Sequence, residues 1–94
     1  MSSPPWDVQF SRSAERALGR LPEKIAVAVL EFVTGTLPIN PHRLSKPLHE
    51  PFDGWRSARR GDYRVVFEIK DDDHVLHVGR IEHRADVYRG GPLS

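Results

Sequence analysis

The sequence contains no cysteine, which excludes a disulfide framework and a thiolate metal site. No stretch approaches the roughly 18 consecutive apolar residues of a membrane span, and the first six residues lack the apolar core of a signal peptide. We therefore expect a cytoplasmic protein without a membrane partner. A chain of 94 residues predicts one domain over residues 1–94, with residues 1–5 and 90–94 flexible.

A strong overall charge is also missing, because the net charge is only +1. The distribution of charge is more informative than its sum. The segment 43–64 carries six basic residues, which are Arg43, Lys46, Arg56, Arg59, Arg60 and Arg64. A run of three aspartates at positions 71–73 lies apart from them. Segregation of this kind predicts a face that meets nucleic acid or an acidic partner.

The hydrophobic pattern predicts an α+β fold. Apolar and polar residues alternate over residues 6–10, as in a half-buried strand. An amphipathic helix follows, capped by Ser11 or Ser13, and a second helix begins after Pro22 and ends at Gly35 and Pro38. Beyond a loop over residues 38–51, three strands are expected at 55–60, 63–70 and 75–81. We predict an N-terminal strand and a two-helix hairpin packed on an antiparallel sheet of about four strands.

A hairpin turn at Gly61 and Asp62 organises the predicted site. Glycine at the first central position is typical of a type II′ turn, which requires a positive φ there. This turn places Arg59 directly opposite Arg64, and like charges in that arrangement repel each other. The pair therefore indicates a negatively charged partner. The same register places Arg56 on the core face, which requires a bulge or a strand-end position.

The sheet face away from the helices is expected to be open and to carry the candidate residues. Arginines hold phosphates bidentately, and tyrosine and histidine can stack on unpaired bases, so this set favours RNA. The candidates on this face are Arg59, Arg64, Arg80, His83, Arg84 and Tyr88. Each arginine alone is also explained as a solvated charge, Tyr88 as an anchor of the tail, and His83 as a structural histidine. No histidine spacing predicts a metal site, and we expect no cofactor.

Two segments resemble the RelE family of bacterial toxins, in the RelE/ParE superfamily. The first is ARRGDYRVVFEI at residues 58–69, and the second is VGRIEHRADVY at residues 78–88. The segment LSKPL at residues 44–48 is similar to a loop of the same family. With the N-terminal strand and helices included, the resemblance covers nearly the whole chain.

The resemblance implies an endoribonuclease that cleaves mRNA in the ribosomal A site and is neutralised by a RelB-like antitoxin. The 2′-hydroxyl would attack the adjacent phosphate without a metal. By position, Arg64 would hold the scissile phosphate, Arg59 would stabilise transition-state charge or orient the base, and Tyr88 would stack on the base. Arg84 matches the family's late arginine, and His83 would supply acid–base chemistry.

Additional RNA contacts are expected from the remaining basic residues of the same region, Lys46, Arg56, Arg60 and Arg80. One departure concerns the general base, because Ser57 and Ala58 stand where some family members carry lysines, and arginine is a poor proton acceptor. Two alternatives remain. One is a ParE-like inhibitor of DNA gyrase, and the other is a non-catalytic relic that acts with its antitoxin as a repressor.

Overall fold

The computed structural model describes residues 6–83, which form five strands and two α-helices. Two further turns, a π turn at Phe32–Thr36 and a 3-10 turn at Leu37–Ile39, follow the second helix. The elements in chain order are β1 (Asp7–Phe10), α1 (Arg12–Arg20), α2 (Glu23–Glu31), β2 (Lys46–Pro47), β3 (Arg56–Arg60), β4 (Tyr63–Lys70) and β5 (Val75–His83).

All five strands belong to one sheet in the order β1-β5-β4-β3-β2. The predicted α+β class is confirmed, but the sheet has five strands where about four were expected. The additional strand β2 lies in the predicted loop and pairs Lys46 with Ser57. Two residues are too few for an alternating pattern to be visible in the sequence. The sheet is mixed, because β1 runs parallel to β5 while the other pairs are antiparallel.

The first helix begins as expected, with Ser11 as its N-cap. Its hydroxyl accepts a hydrogen bond from the Ala14 N–H at 3.1 Å. The end of α2 differs from the prediction, since the helical backbone continues through the π and 3-10 turns instead of stopping at Gly35 and Pro38. Pro38 lies at the start of the 3-10 turn, at the point where the hydrogen-bond pattern changes from that of the π turn. Within residues 6–83, no helix has the length and apolar character to cross a membrane.

The helices and the turns after α2 cover one face of the sheet and enclose the core. The alternating side chains Tyr63, Val65, Phe67 and Ile69 of β4 lie on this covered face, as predicted. The fully buried members of the core are aliphatic or aromatic and include Val29, Val33, Leu37, Val65, Phe67, Leu76 and Val78. The opposite face of the sheet carries the polar candidates.

A β-bulge in β5 determines which of its side chains reach each face. Phe67 pairs with Val78 and Val66 pairs with Arg80, so Gly79 is an extra residue without a partner in β4. The Ser11 hydroxyl donates a hydrogen bond to the Gly79 carbonyl at 2.8 Å and so fastens the start of α1 to the bulge. Beyond Gly79 the alternation changes phase. Ile81 enters the core, and Arg80 and Glu82 lie on the opposite face.

Candidate nucleic-acid interface

The hairpin of β3 and β4 has the predicted geometry. Gly61 has a φ of 61°, and no positive φ is found at Asp62, as a type II′ turn requires. The register pairs Arg59 with Arg64 and Arg60 with Tyr63, which confirms the expected opposition of two arginines. Arg56 is the first residue of β3, and the pairing of β3 with β4 contains no bulge. Of the two expected explanations, the strand-end position is therefore the one that accommodates Arg56 on the core side.

A carboxylate continues the row of charges across the sheet. Arg64 pairs with Glu82 on β5, and its Nη2 donates to Glu82 Oε1 at 3.0 Å. Arg80 Nη1 approaches the other oxygen of Glu82 at 3.4 Å. Glu82 is only 9% exposed. The Glu82 carboxylate therefore partly offsets the repulsion between Arg59 and Arg64, and the hairpin pattern alone did not predict it.

An open cleft of ≈ 580 Å³ lies beside this row. Its lining combines the loop before β2 with the exposed sheet face, and consists of Arg43, Leu44, Ser45, Lys46, Ser57, Arg59 and Arg64. Four of these side chains are cationic and none is acidic. Within residues 6–83, the side chains of Arg43, Lys46 and Arg59 form no ion pair or hydrogen bond. Such a cluster of cations is suited to a polyanionic ligand.

The remaining predicted residues lie in different places. Arg80 shares the face of Arg64, whereas Arg56 is hydrogen-bonded to the loop that carries Arg43. The expectation that His83 lies on the open face is wrong, because His83 pairs with Tyr63 and, like Arg60, belongs to the helix-covered side. The His83 ring packs edge-on against Tyr63 with ring centroids 5.1 Å apart. The predicted roles of Arg60 in RNA binding and of His83 in acid–base chemistry stay predictions. Arg84 and Tyr88 lie outside the described residues.

The face that carries the cleft is less open than expected. Val66 is fully buried there, although its neighbours across the strands are Ser57 and Arg80. Further along the same face, Glu68 contacts His77 at 3.3 Å and Lys70 at 3.6 Å. Within residues 6–83, no three histidine, aspartate or glutamate side chains are grouped so that they could hold a metal ion.

Glu82 is the member of the site that sequence reasoning missed. The signal was present in β5, where apolar residues fall at positions 76 and 78 and then at 81. A change of phase at a glycine within a strand is typical of a bulge. Had this bulge been included, the sequence would have placed Glu82 on the face of Arg64.

The comparisons with known proteins agree with this architecture. The family model for the ParE toxin of the type II toxin–antitoxin system parDE matches residues 8–88. Toxin RelE of Mycobacterium tuberculosis is 51% identical over 88 residues, covering 94% of this chain and 91% of that protein. Toxin RelG of the same organism is 44% identical over 85 residues, covering 90% of this chain and 98% of that protein.

Solved structures show the same fold. The RelBE2 toxin–antitoxin complex of M. tuberculosis contains a chain with a TM-score of 0.82 and 41% identity, covering 86% of this chain and all of that one (100%). A variant of the E. coli RelE toxin in the free state has a TM-score of 0.71 over 89% of this chain and 88% of that one. At 14% identity, the second likeness concerns the fold alone.

The α+β fold and these relatives define a class of protein, the toxins of type II toxin–antitoxin systems. Within that class, this chain belongs to the RelE family of the RelE/ParE superfamily.

Proposed function

We propose that this toxin is an endoribonuclease that cleaves ribosome-bound mRNA in the cytoplasm and thereby blocks translation. The observation that carries the proposal is the cleft, where four cationic side chains surround an open volume and no carboxylate lines it. A chain of phosphates would neutralise these charges. The likeness to Toxin RelE and Toxin RelG supports the same reading.

The proposed reaction is an in-line attack by the ribose 2′-oxygen on the adjacent phosphorus. The new O–P bond forms as the bond from phosphorus to the 5′-oxygen breaks. The 2′-hydroxyl gives up its proton to a base, and the leaving 5′-oxygen takes up a proton, so that the products are a 2′,3′-cyclic phosphate and a 5′-hydroxyl. Negative charge accumulates on the phosphoryl oxygens in the transition state. Arg59 and Arg64 are assigned to that charge, because a guanidinium remains protonated and donates hydrogen bonds in a fixed fork.

The remaining roles follow from the chemistry of each side chain. Arg43 and Lys46 are assigned to neighbouring phosphates, since they flank the cleft from the loop side. Arg80 would act indirectly, by helping to hold the Glu82 carboxylate, which also pairs with Arg64. Tyr88 keeps the base-stacking role that the family resemblance implies, and Arg84 keeps the position of the family's late arginine.

Arg59 is the best residue for a test, because it is exposed and its side chain forms no hydrogen bond or ion pair within residues 6–83. Arg64→Ala is less informative, since it also removes a partner of the buried Glu82. We expect Arg59→Gln to slow cleavage by about 10²-fold, as removal of one transition-state donor does elsewhere. Arg12→Gln removes the same charge from α1, outside the cleft, and is the matched control.

The assay is primer extension on a reporter mRNA with translating ribosomes present or absent. Cuts that require ribosomes and leave cyclic phosphate ends on the upstream fragment would support the full proposal. Cuts that are equal in Arg59→Gln and the control would refute the role of Arg59. Intact mRNA accompanied by growth arrest and loss of DNA supercoiling would favour the ParE-like alternative, whereas intact mRNA and normal growth would favour the relic.

We also propose a RelB-like antitoxin as the partner that neutralises the toxin. The related chain of M. tuberculosis was solved in a toxin–antitoxin complex, and so was E. coli RelE. We expect the antitoxin to cover both apolar surface and the basic cleft with a helix or an extended segment. Cleavage should disappear when the two proteins are coexpressed, and persistence of cleavage in a stable complex would contradict this mode of inhibition.

A further inference from the structure

Arg56 donates three of the five N–H groups of its side chain to the loop before β2. Its Nε donates to Ser45 Oγ at 2.7 Å. Its Nη2 donates to the carbonyl of His42 at 3.0 Å and to the carbonyl of Ser45 at 3.1 Å. One side chain at the start of β3 thus holds both ends of the segment 42–45.

The held segment is also folded on itself. The N–H groups of Arg43 and Leu44 donate to the side-chain and main-chain oxygens of Asn40 at 3.2 and 3.1 Å. The Ser45 hydroxyl donates to the Pro41 carbonyl at 2.6 Å, so Ser45 Oγ links this turn to Arg56. The loop is therefore a defined structure. The Arg56 guanidinium and the short strand β2 attach it to the sheet, and His42 Nε2 lies 3.9 Å from Asp71 Oδ1 in the turn after β4.

The position of Arg56 separates it from the residues assigned to phosphate. It does not line the basic cleft, whereas Arg43 on the held loop and Lys46, the next residue after that loop, do. Arg56 instead lines a smaller cavity of ≈ 190 Å³ with His42 and Trp55. The Arg56 guanidinium therefore lies beside this smaller cavity and not in the cleft, and its hydrogen bonds go to atoms of the loop.

From these contacts we infer that Arg56 is a positioning residue, which fixes the 42–45 loop so that Arg43 and Lys46 meet the phosphates of a single-stranded RNA. The inference rests on the proposed function, and it replaces the direct RNA contact expected for Arg56 from the sequence. The shape of the guanidinium matters here as well as its charge. Lysine carries its donors on one nitrogen, so it cannot keep the bond of Nε to Ser45 Oγ together with the two bonds of Nη2 to the carbonyls of His42 and Ser45 in this fixed geometry.

A charge-conserving substitution separates the two roles. The probe is a short single-stranded RNA made non-cleavable by 2′-deoxy substitution, and the measurement is its dissociation constant at fixed salt. If Arg56 positions the loop, Arg56→Lys and Arg56→Gln both weaken binding by roughly tenfold. Arg12→Lys is the control and should stay within about twofold of wild type, because Arg12 lies in α1, outside the cleft. Equal binding by Arg56→Lys and wild type would overturn the inference.

A double-mutant cycle tests whether Arg56 acts through Arg43. In wild type, Arg43→Gln removes one phosphate contact and should lower the salt slope by about 0.7. In the Arg56→Gln background the same change should have little effect, because Arg43 is no longer held in place. Strictly additive losses would show that the two arginines act independently, which is the result expected of two direct contacts.

Hydrogen exchange gives a readout that does not depend on RNA. The amides of Arg43 and Leu44 should exchange roughly tenfold faster in Arg56→Lys, while those of β4 and β5 stay protected. Unchanged exchange in the loop would overturn the tether itself. A wild-type chain that does not bind the free RNA would overturn the use of the loop for RNA binding, and the exchange result would then report on the tether alone. The proposed function is decided separately, by the primer-extension assay with ribosomes.

Discussion

Glu82 is expected to contribute more to stability than any other surface-facing charge of the sheet. It is 9% exposed and accepts from Arg64 at 3.0 Å and from Arg80 at 3.4 Å. Removing one member of a fully buried ion pair costs about 3–5 kcal/mol. The side chains of Arg64 and Arg80 are 29% and 21% exposed, so water can solvate them in part. We therefore expect Glu82→Ala to lower the free energy of unfolding by about 2 kcal/mol.

Two further variants calibrate this number. Glu82→Gln keeps an oxygen acceptor and a similar volume but loses the charge, so its cost should be near 1 kcal/mol, about half that of the alanine variant. Glu68→Ala is the matched control, because Glu68 lies on the same face and contacts two cationic or titratable groups at 3.3 and 3.6 Å. Its side chain is 30% exposed, so a cost below about 1 kcal/mol is expected.

Urea denaturation measures all three variants, and equal m-values would show that the unfolded state is unchanged. For a domain of this size, a loss of about 2 kcal/mol corresponds to a fall in Tm of roughly 8–16 °C. The reasoning fails if Glu82→Ala is no more destabilising than Glu68→Ala. In that case the pairs of Glu82 with the two arginines would contribute no more than a solvated surface bridge.

Two predictions concern the backbone. Gly61→Ala should cost about 1–2 kcal/mol in urea denaturation, because φ is 61° and no neighbouring atom lies within 4 Å to add a steric term. A Cβ added at Gly19 in α1 also meets no atom within 4 Å, so Gly19→Ala should raise the free energy of unfolding by about 0.5–1 kcal/mol. If both glycine variants changed the free energy of unfolding in the same direction, the turn geometry would be contradicted. Ser11→Ala removes both the helix cap and the bond to Gly79 and should cost about 1–2 kcal/mol. Ser13→Ala, inside the helix, should change stability by less than about 0.5 kcal/mol, and a similar loss there would argue against the cap.

Much of the local structure could be predicted because its causes are local. The positive φ at Gly61 depends on the absence of a Cβ, so the turn and the opposition of Arg59 and Arg64 follow from a few adjacent residues. Alternation along β4 identified the core face, since successive side chains of a strand point to opposite sides. Ser11 as the N-cap likewise depends on a hydrogen bond to a residue three positions away.

The candidate site could be predicted only in part. Arg59 and Arg64 were found through the turn register, and the cleft contains both. In the sequence, the loop residue Arg43 is one of a group of basic residues, and no local pattern shows that it lies beside Arg59. The sequence predicted Arg56 as another RNA contact. Its bonds to His42 and Ser45 could not be foreseen, because they join segments that are distant in sequence.

By itself, then, the sequence determined the α+β class, the hairpin and the pair of opposed arginines, all of which arise from short-range sterics and hydrophobic periodicity. Only the tertiary structure decided what surrounds that pair. The bulge at Gly79 shifts the alternation of β5 by one residue, and such a shift moves every later side chain to the other face. Glu82 pairs with Arg64 for that reason. Arg56 donates its hydrogen bonds to the loop, because the acceptors in the loop become its neighbours only when β2 joins the sheet.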